Sequence, residues 1–190
     1  MVWLIALTQF GDLAVLLPLT ALILLWLLFM RRPQEAGWWA IAVVLCAGST
    51  AVLKIFFYGC PPAPELHSPS GHTSLSTLVY GAITLVSATQ NAGLRRLMTI
   101  SVGAGFILAI ATSRLLLDAH SAAEVEIGLL IGSAALALFG QGYLRRPAVQ
   151  LWLTPLLTAG ATVLLVLHGR ELHAEEFLRG ISGYLQIHCS

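Results

Sequence analysis

The stretch LAVLLPLTALILLWLLFM, residues 13–30, carries no charge and is followed at once by Arg31-Arg32. As a helix rising about 1.5 Å per residue it reaches roughly 27 Å, close to the hydrocarbon thickness of a bilayer. A secretory leader puts its basic residues ahead of a shorter apolar core. Here the basic pair comes after, as in a stop-transfer signal, so the segment reads as a retained span. Five more stretches read the same way: 38–57, 73–89, 97–112, 125–143 and 151–168, of which 97–112 is slightly short and rich in Gly and Ala. Composition agrees, with 57% hydrophobic and only 10% charged residues, against about 25% charged in a soluble domain. Too little polar surface exists to cover a globule in water. The expected fold class is an all-α integral membrane protein with six transmembrane helices, forming one domain over residues 1–190.

Outside the spans, residues 2–10 form a short apolar segment expected to lie along the interface. Residues 170–190 mix charge with Phe177, Leu178, Ile181, Tyr184 and Leu185 at helical spacing, which predicts an interfacial C-terminal tail weakened by Gly180 and Gly183. Arg31-Arg32, Arg95-Arg96 and Arg145-Arg146 fall in alternate loops. The positive-inside rule places those loops in the cytoplasm, and the loops at 58–72 and 113–124, with both termini, outside. Trp38, Trp39 and Trp152 at span ends read as interface anchors, and Gly103, Ala104 and Gly105 as a site of close helix packing. The net charge of +1 gives no sign of a nucleic-acid partner, and the three cysteines fit no metal-ligand spacing.

Ionisable residues at membrane spans are costly and generally functional. With the arginine pairs set aside, they concentrate in the two outer loops. The first loop supplies Lys54 and the run from His67 to His72; the second supplies Arg114, Asp118, His120, Glu124 and Glu126. Lys54 and Arg114 are cations suited to a multiply charged oxyanion. Ser70-Gly71-His72 opens an apolar helix whose first N–H groups point at an anion, and Gly71 permits close backbone approach. One of two histidines can attack phosphorus while the other protonates the leaving oxygen. Glu124, one helical turn beyond His120, can hold its imidazole in the required tautomer. Nothing in this scheme calls for a metal or a cofactor. Taken singly, each motif has a plainer reading: a turn with a helix cap, a loop histidine, a lysine reaching from a span end toward the interface.

Together, in this order and spacing, the three segments resemble the signature of the type 2 phosphatidic acid phosphatase family, whose site is shared with vanadium haloperoxidases. That signature runs Lys, six residues, Arg-Pro; then Pro-Ser-Gly-His; then Ser-Arg, five residues, His, three residues, Asp. Here Lys54 is followed after six residues by Pro61-Pro62, Pro69-Ser70-Gly71-His72 matches in full, and Ser113-Arg114 leads to His120 and then Glu124. The resemblance implies His120 as nucleophile, His72 as general acid and Glu124 as the group orienting His120. It implies Lys54, Ser70, Gly71 and Arg114 as phosphate ligands. Pro61 removes a guanidinium from such a pocket, so another cation, Arg170 being one candidate, has to compensate or the substrate is bound differently.

The function implied is hydrolysis of a phosphate or pyrophosphate group from a membrane lipid through a phosphohistidine. The candidate partners are undecaprenyl or another polyprenyl pyrophosphate, phosphatidylglycerol phosphate, phosphatidic acid and lipid A phosphate. The compact loops suggest a bacterial inner membrane with the site facing the periplasm. The alternatives are a lipid-to-lipid phosphotransferase using the same histidine and a non-catalytic lipid-binding or transport protein with a decayed site. Two cysteines, Cys60 and Cys189, fall on the outer side, where an oxidising compartment lets them pair; the alternative is that both thiols are free.

Overall fold

The computed structural model of the chain describes residues 2–60, 62, 66–145, 151–170, 172 and 174–184. Among the described residues every regular element is an α-helix. They are α1 (Val2–Gln9), α2 (Leu13–Phe29), α3 (Pro33–Gly59), α4 (Gly71–Thr89), α5 (Gly93–Leu116), α6 (Ala122–Leu144), α7 (Thr154–Leu167) and α8 (Ala174–Tyr184). Four stretches are long and apolar enough to cross a membrane: the nearly continuous Val2–Phe29, then Pro33–Gly59, Gly93–Leu116 and Ala122–Leu144. Their outward faces carry large apolar side chains such as Leu25, Val44, Val102 and Leu130, a surface made for lipid rather than water.

Two of the six expected spans fall outside that set, for different reasons. Helix α7 has only 14 residues. Helix α4 is long enough at 19 residues but carries seven Ser and Thr. Its residues 73–82 are buried without a break, so it faces protein rather than lipid and can afford hydroxyls. Those hydroxyls are satisfied locally: Thr77 Oγ1 donates to Thr73 O at 2.7 Å, and Ser74 Oγ meets Thr50 Oγ1 of α3 at 3.0 Å. Helix α5 is longer than the sequence suggested, because Arg95 and Arg96 form part of its exposed first turns rather than a loop before it.

Glycines set how closely α4 is gripped. A Cβ on Gly128 of α6 would stand 2.7 Å from the Ser70 carbonyl oxygen, and one on Gly132 would collide with the Ser74 carbonyl. Spaced four apart, they let the α6 backbone lie directly against the start of α4. On the other side Gly103 of α5 admits Thr84, whereas Ala104 and Gly105 are exposed and take no part in close packing. Trp39 also departs from expectation. It is 1% exposed, lies edge-on to Phe139 at 5.3 Å and donates its indole N–H to Thr20 O. It anchors the core, while Trp152 is exposed as an interface residue would be.

Candidate active site

The end of α5 determines where His120 goes. After Arg114 the helix stops in a turn that folds back on itself: Ala119 N donates to Arg114 O at 3.1 Å, and His120 N reaches the same oxygen at 3.4 Å. Asp118 takes the left-handed backbone conformation that this reversal needs. The five-residue gap between Arg114 and His120 is therefore the length of one reverse turn. Helix α6 then begins with a capping box. Ser121 Oγ accepts from Glu124 N, and the Glu124 carboxylate accepts from Ser121 N at 3.1 Å.

The same carboxylate joins the two loops. Glu124 Oε2 lies 2.7 Å from His120 Nδ1, so the carboxylate accepts the Nδ1 proton and leaves Nε2 as the free nitrogen of a neutral ring. Glu124 Oε1 accepts from His67 N and Ser68 N, each at 2.7 Å. Ser70 N donates to the Glu124 carbonyl at 3.0 Å. The Pro-Ser-Gly-His turn is thus fastened to the start of α6. Within it the Ser70 hydroxyl accepts from Thr73 N and Thr73 Oγ1, which makes it the N-cap of α4.

Two adjoining cavities, of about 440 and 220 Å³, share Asp12, His72, Leu172 and Glu175 in their walls. Arg114 and Arg179 line the larger, Lys54 and Leu178 the smaller. Lys54 comes from the C-terminal part of α3, which at 27 residues is about 40 Å long and exceeds the hydrocarbon core. Its side chain is 4% exposed and paired with Glu175 of α8. Arg114 donates to Thr8 Oγ1 at 3.0 Å. Asp12 Oδ2 is 3.7 Å from His72 Nε2, an ion-pair distance when that ring is protonated. Gly11 lets the N-terminal segment come this close, since a Cβ there would meet His72 at 3.2 Å.

His120 lines neither cavity, yet it lies within electrostatic range of Lys54, Arg114 and His72. Burial pushes its imidazole below the ordinary range and the two cations add to that, outweighing the upward pull of Glu124. Burial acts to raise the Glu175 carboxyl, but the charge and hydrogen bond of Lys54 outweigh it and hold the group below the usual carboxylate range.

The structure therefore brings Lys54, His72, Arg114, His120 and Glu124 to one place. Ser70 and Gly71 are adjacent, and a Cβ added to Gly71 would stand 3.5 Å from Lys54 Cε, but neither residue lines the two cavities. His67 is exposed and serves through its backbone. Asp118 and Glu126 are exposed, and His168 bonds to Ala6 O, a structural role. Arg170 is exposed and lines neither cavity, so Pro61 finds no substitute there. Thr8, Asp12, Glu175 and Arg179 were not singled out by sequence. Asp12 had a signal in its charge, placed directly ahead of an apolar run. Cys60 is disulfide-bonded and Cys46 is free; the expected partner Cys189, like Pro61, lies outside the described residues.

Comparison with known proteins bears on this geometry. The family model of the PAP2 superfamily matches residues 49–148, which contain all three signature segments and exclude α1 and α8. An uncharacterized 22.5 kDa protein in the cps region of Klebsiella pneumoniae is 34% identical over 137 residues, 68% of this chain. The match spans 64% of that relative's length. No solved structure matches the chain significantly.

Proposed function

This chain belongs to the PAP2 superfamily, and from that premise we propose that it removes phosphate from a membrane lipid through a covalent phosphohistidine on His120. The observation that carries the reading is the Glu124 carboxylate, which holds His120 Nδ1 at 2.7 Å and so leaves Nε2 with its lone pair. A neutral imidazole, kept so by burial and by Lys54 and Arg114, is what a nucleophile at phosphorus requires. In the first step His120 Nε2 forms a bond to phosphorus as the P–O bond to the lipid breaks, and His72 gives its proton to the leaving oxygen. In the second, water attacks the phosphohistidine, His72 takes the water proton, and orthophosphate leaves with His120 restored.

Lys54 and Arg114 neutralise the phosphate oxygens, and N–H groups at the start of α4 add the helix-terminus contribution. Glu175 holds the Lys54 ammonium, and an entering phosphate oxygen competes with it for that charge. Both cavities open beside apolar helices, which suits a substrate with its chain in the bilayer. The lipids that fit are a polyprenyl pyrophosphate, phosphatidylglycerol phosphate, phosphatidic acid and lipid A phosphate. On this reading the chain spans an inner membrane six times, the arginine pairs lie in the cytoplasm as the positive-inside rule has them, and the site faces the periplasm.

The experiment is phosphate release by the purified chain from a panel of those lipids, with trapping of the phosphoenzyme. The expected adduct is labile in acid, stable in alkali and absent from His120→Ala. Turnover without any such adduct, or undiminished in His120→Ala, defeats the mechanism.

A further inference from the structure

Helix α8 lies outside the segment matched by the superfamily, yet it reaches the cavity that holds His72 and Arg114. It docks on α3 at three places. Glu175 pairs with Lys54, the Arg179 guanidinium lies 5.0 Å over the ring of Tyr58, and Ser182 Oγ donates to Ile55 O at 3.0 Å. Lys54 and Tyr58 are one turn apart on α3, as Glu175 and Arg179 are on α8, so the first two contacts are successive rungs between the same helix faces. Arg179 lines the larger cavity together with Arg114 and His72. Among the described residues it makes no ion pair, and its guanidinium meets the face of an aromatic ring. Stacking of this kind fixes the plane of the guanidinium and leaves its edge N–H groups free to donate.

Taking the phosphate reading above as the premise, we propose that Arg179 is a substrate-binding residue that supplies the cavity's second guanidinium from the C-terminal helix. It does from α8 what no arginine does at position 61. Two of the three acids in the same wall are engaged elsewhere. Asp12 caps α2 and faces His72, and Glu175 is committed to Lys54. Glu176, the remaining carboxylate there, adjoins Glu175 on the same helix. The charge-assisted, two-pronged contact an arginine makes with phosphate is what distinguishes this role from one of merely holding α8 in place.

The test is calorimetric titration of the full chain in detergent with inorganic phosphate, on wild type, Arg179→Ala, Arg179→Lys and Ser182→Ala. Arg179→Ala is expected to weaken the dissociation constant at least about tenfold, the lower end for a lost charge-assisted contact. Arg179→Lys keeps the charge but loses the two-pronged fork, so its constant should fall between those of wild type and Arg179→Ala. Ser182→Ala removes one hydrogen bond to α3 while the Glu175–Lys54 pair and the Arg179–Tyr58 stack still hold α8, so it leaves binding unchanged. An unaltered constant in Arg179→Ala overturns the inference, and so does equal weakening in Arg179→Lys or in Ser182→Ala. Wild type that fails to bind phosphate defeats the phosphate reading itself, a result distinguishable from failure of Arg179 alone.

Discussion

Replacing Glu124 by glutamine removes a charge while keeping the shape. The carboxylate accepts from His67 N and Ser68 N at 2.7 Å each on one oxygen, and from His120 Nδ1 at 2.7 Å and Ser121 N at 3.1 Å on the other. A glutamine amide has only one accepting atom, so in either orientation two donors face an NH₂ group. With nitrogen toward His120, Nδ1 must become the acceptor, the ring proton moves to Nε2, and the attacking lone pair is lost. With oxygen toward His120, the two backbone N–H groups that hold the 67–70 turn lose their anchor. Each hydrogen bond to a charged group contributes about 1.5–3 kcal/mol, so losing two removes about 3–6 kcal/mol. At about 1.4 kcal/mol per decade, full expression in the transition state lowers kcat by roughly two to four decades.

The assay is phosphate release in detergent micelles over a range of substrate concentrations, alongside thermal melting of both proteins. Glu124 lines neither cavity, so KM is expected to stay within about threefold while kcat falls. Glu124→Asp retains charge but is one methylene shorter, and cannot serve both the capping box and His120 at full strength. Its loss should be smaller than that of glutamine. A folded Glu124→Gln protein with kcat within about threefold of wild type would falsify the orienting role.

His72→Ala should lose about two to four decades on a lipid phosphate but far less on p-nitrophenyl phosphate, whose leaving group departs without a proton; equal losses on both substrates exclude general-acid work. Because His120 is held below its ordinary value of 6.5 and acts as the neutral ring, kcat/KM should hold steady below that pH and fall only as pH drops through the depressed value. An acid limb centred at or above 6.5 contradicts this. Gly128→Ala places a methyl where 2.7 Å separates it from the Ser70 carbonyl, so it should displace the Pro-Ser-Gly-His turn and cut kcat at least about tenfold. Gly48→Ala, with nothing within 4 Å, is the matched control and should be silent.

Much of the candidate site was legible because its geometry is local. Arg114, His120 and Glu124 are set by one helix end, one reverse turn and one capping box, each a short-range consequence of sequence. Glutamate in place of the usual aspartate also has a local reason, since the N3 position of a capping box reaches back with the longer side chain. The Ser and Thr of α4 were legible only as a modest apolar stretch. That the helix is shielded from lipid follows from Gly128 and Gly132, which a linear reading does not bring opposite Ser70 and Ser74. Thr8, Asp12 and Arg179 reach the cavity through tertiary docking of α1 and α8, and no periodicity within either segment fixes which cavity they meet.

A covalent constraint at the end of α3, the helix on which α8 docks, bears on that docking. Cys60 closes α3 six residues beyond Lys54 and is disulfide-bonded, while Cys46 is a free, buried thiol of the same helix. The sequence expectation pairs Cys60 with Cys189, beyond α8. Closing a loop of about 130 residues restricts the unfolded chain, which in the chain-entropy model stabilises the fold by about 4–5 kcal/mol. It would also tether the end of α8 to the helix that carries Lys54 and Tyr58. Intact mass after alkylation under denaturing conditions counts the free thiols. One alkylated cysteine without reductant, rising to three with it, is the expected result, and a peptide map should then join the segments around 60 and 189. Three alkylated cysteines without reductant refute the bridge. If the bridge orders α8, reduction should weaken phosphate binding in wild type but hardly in Arg179→Ala, because the contact it helps to position is already gone.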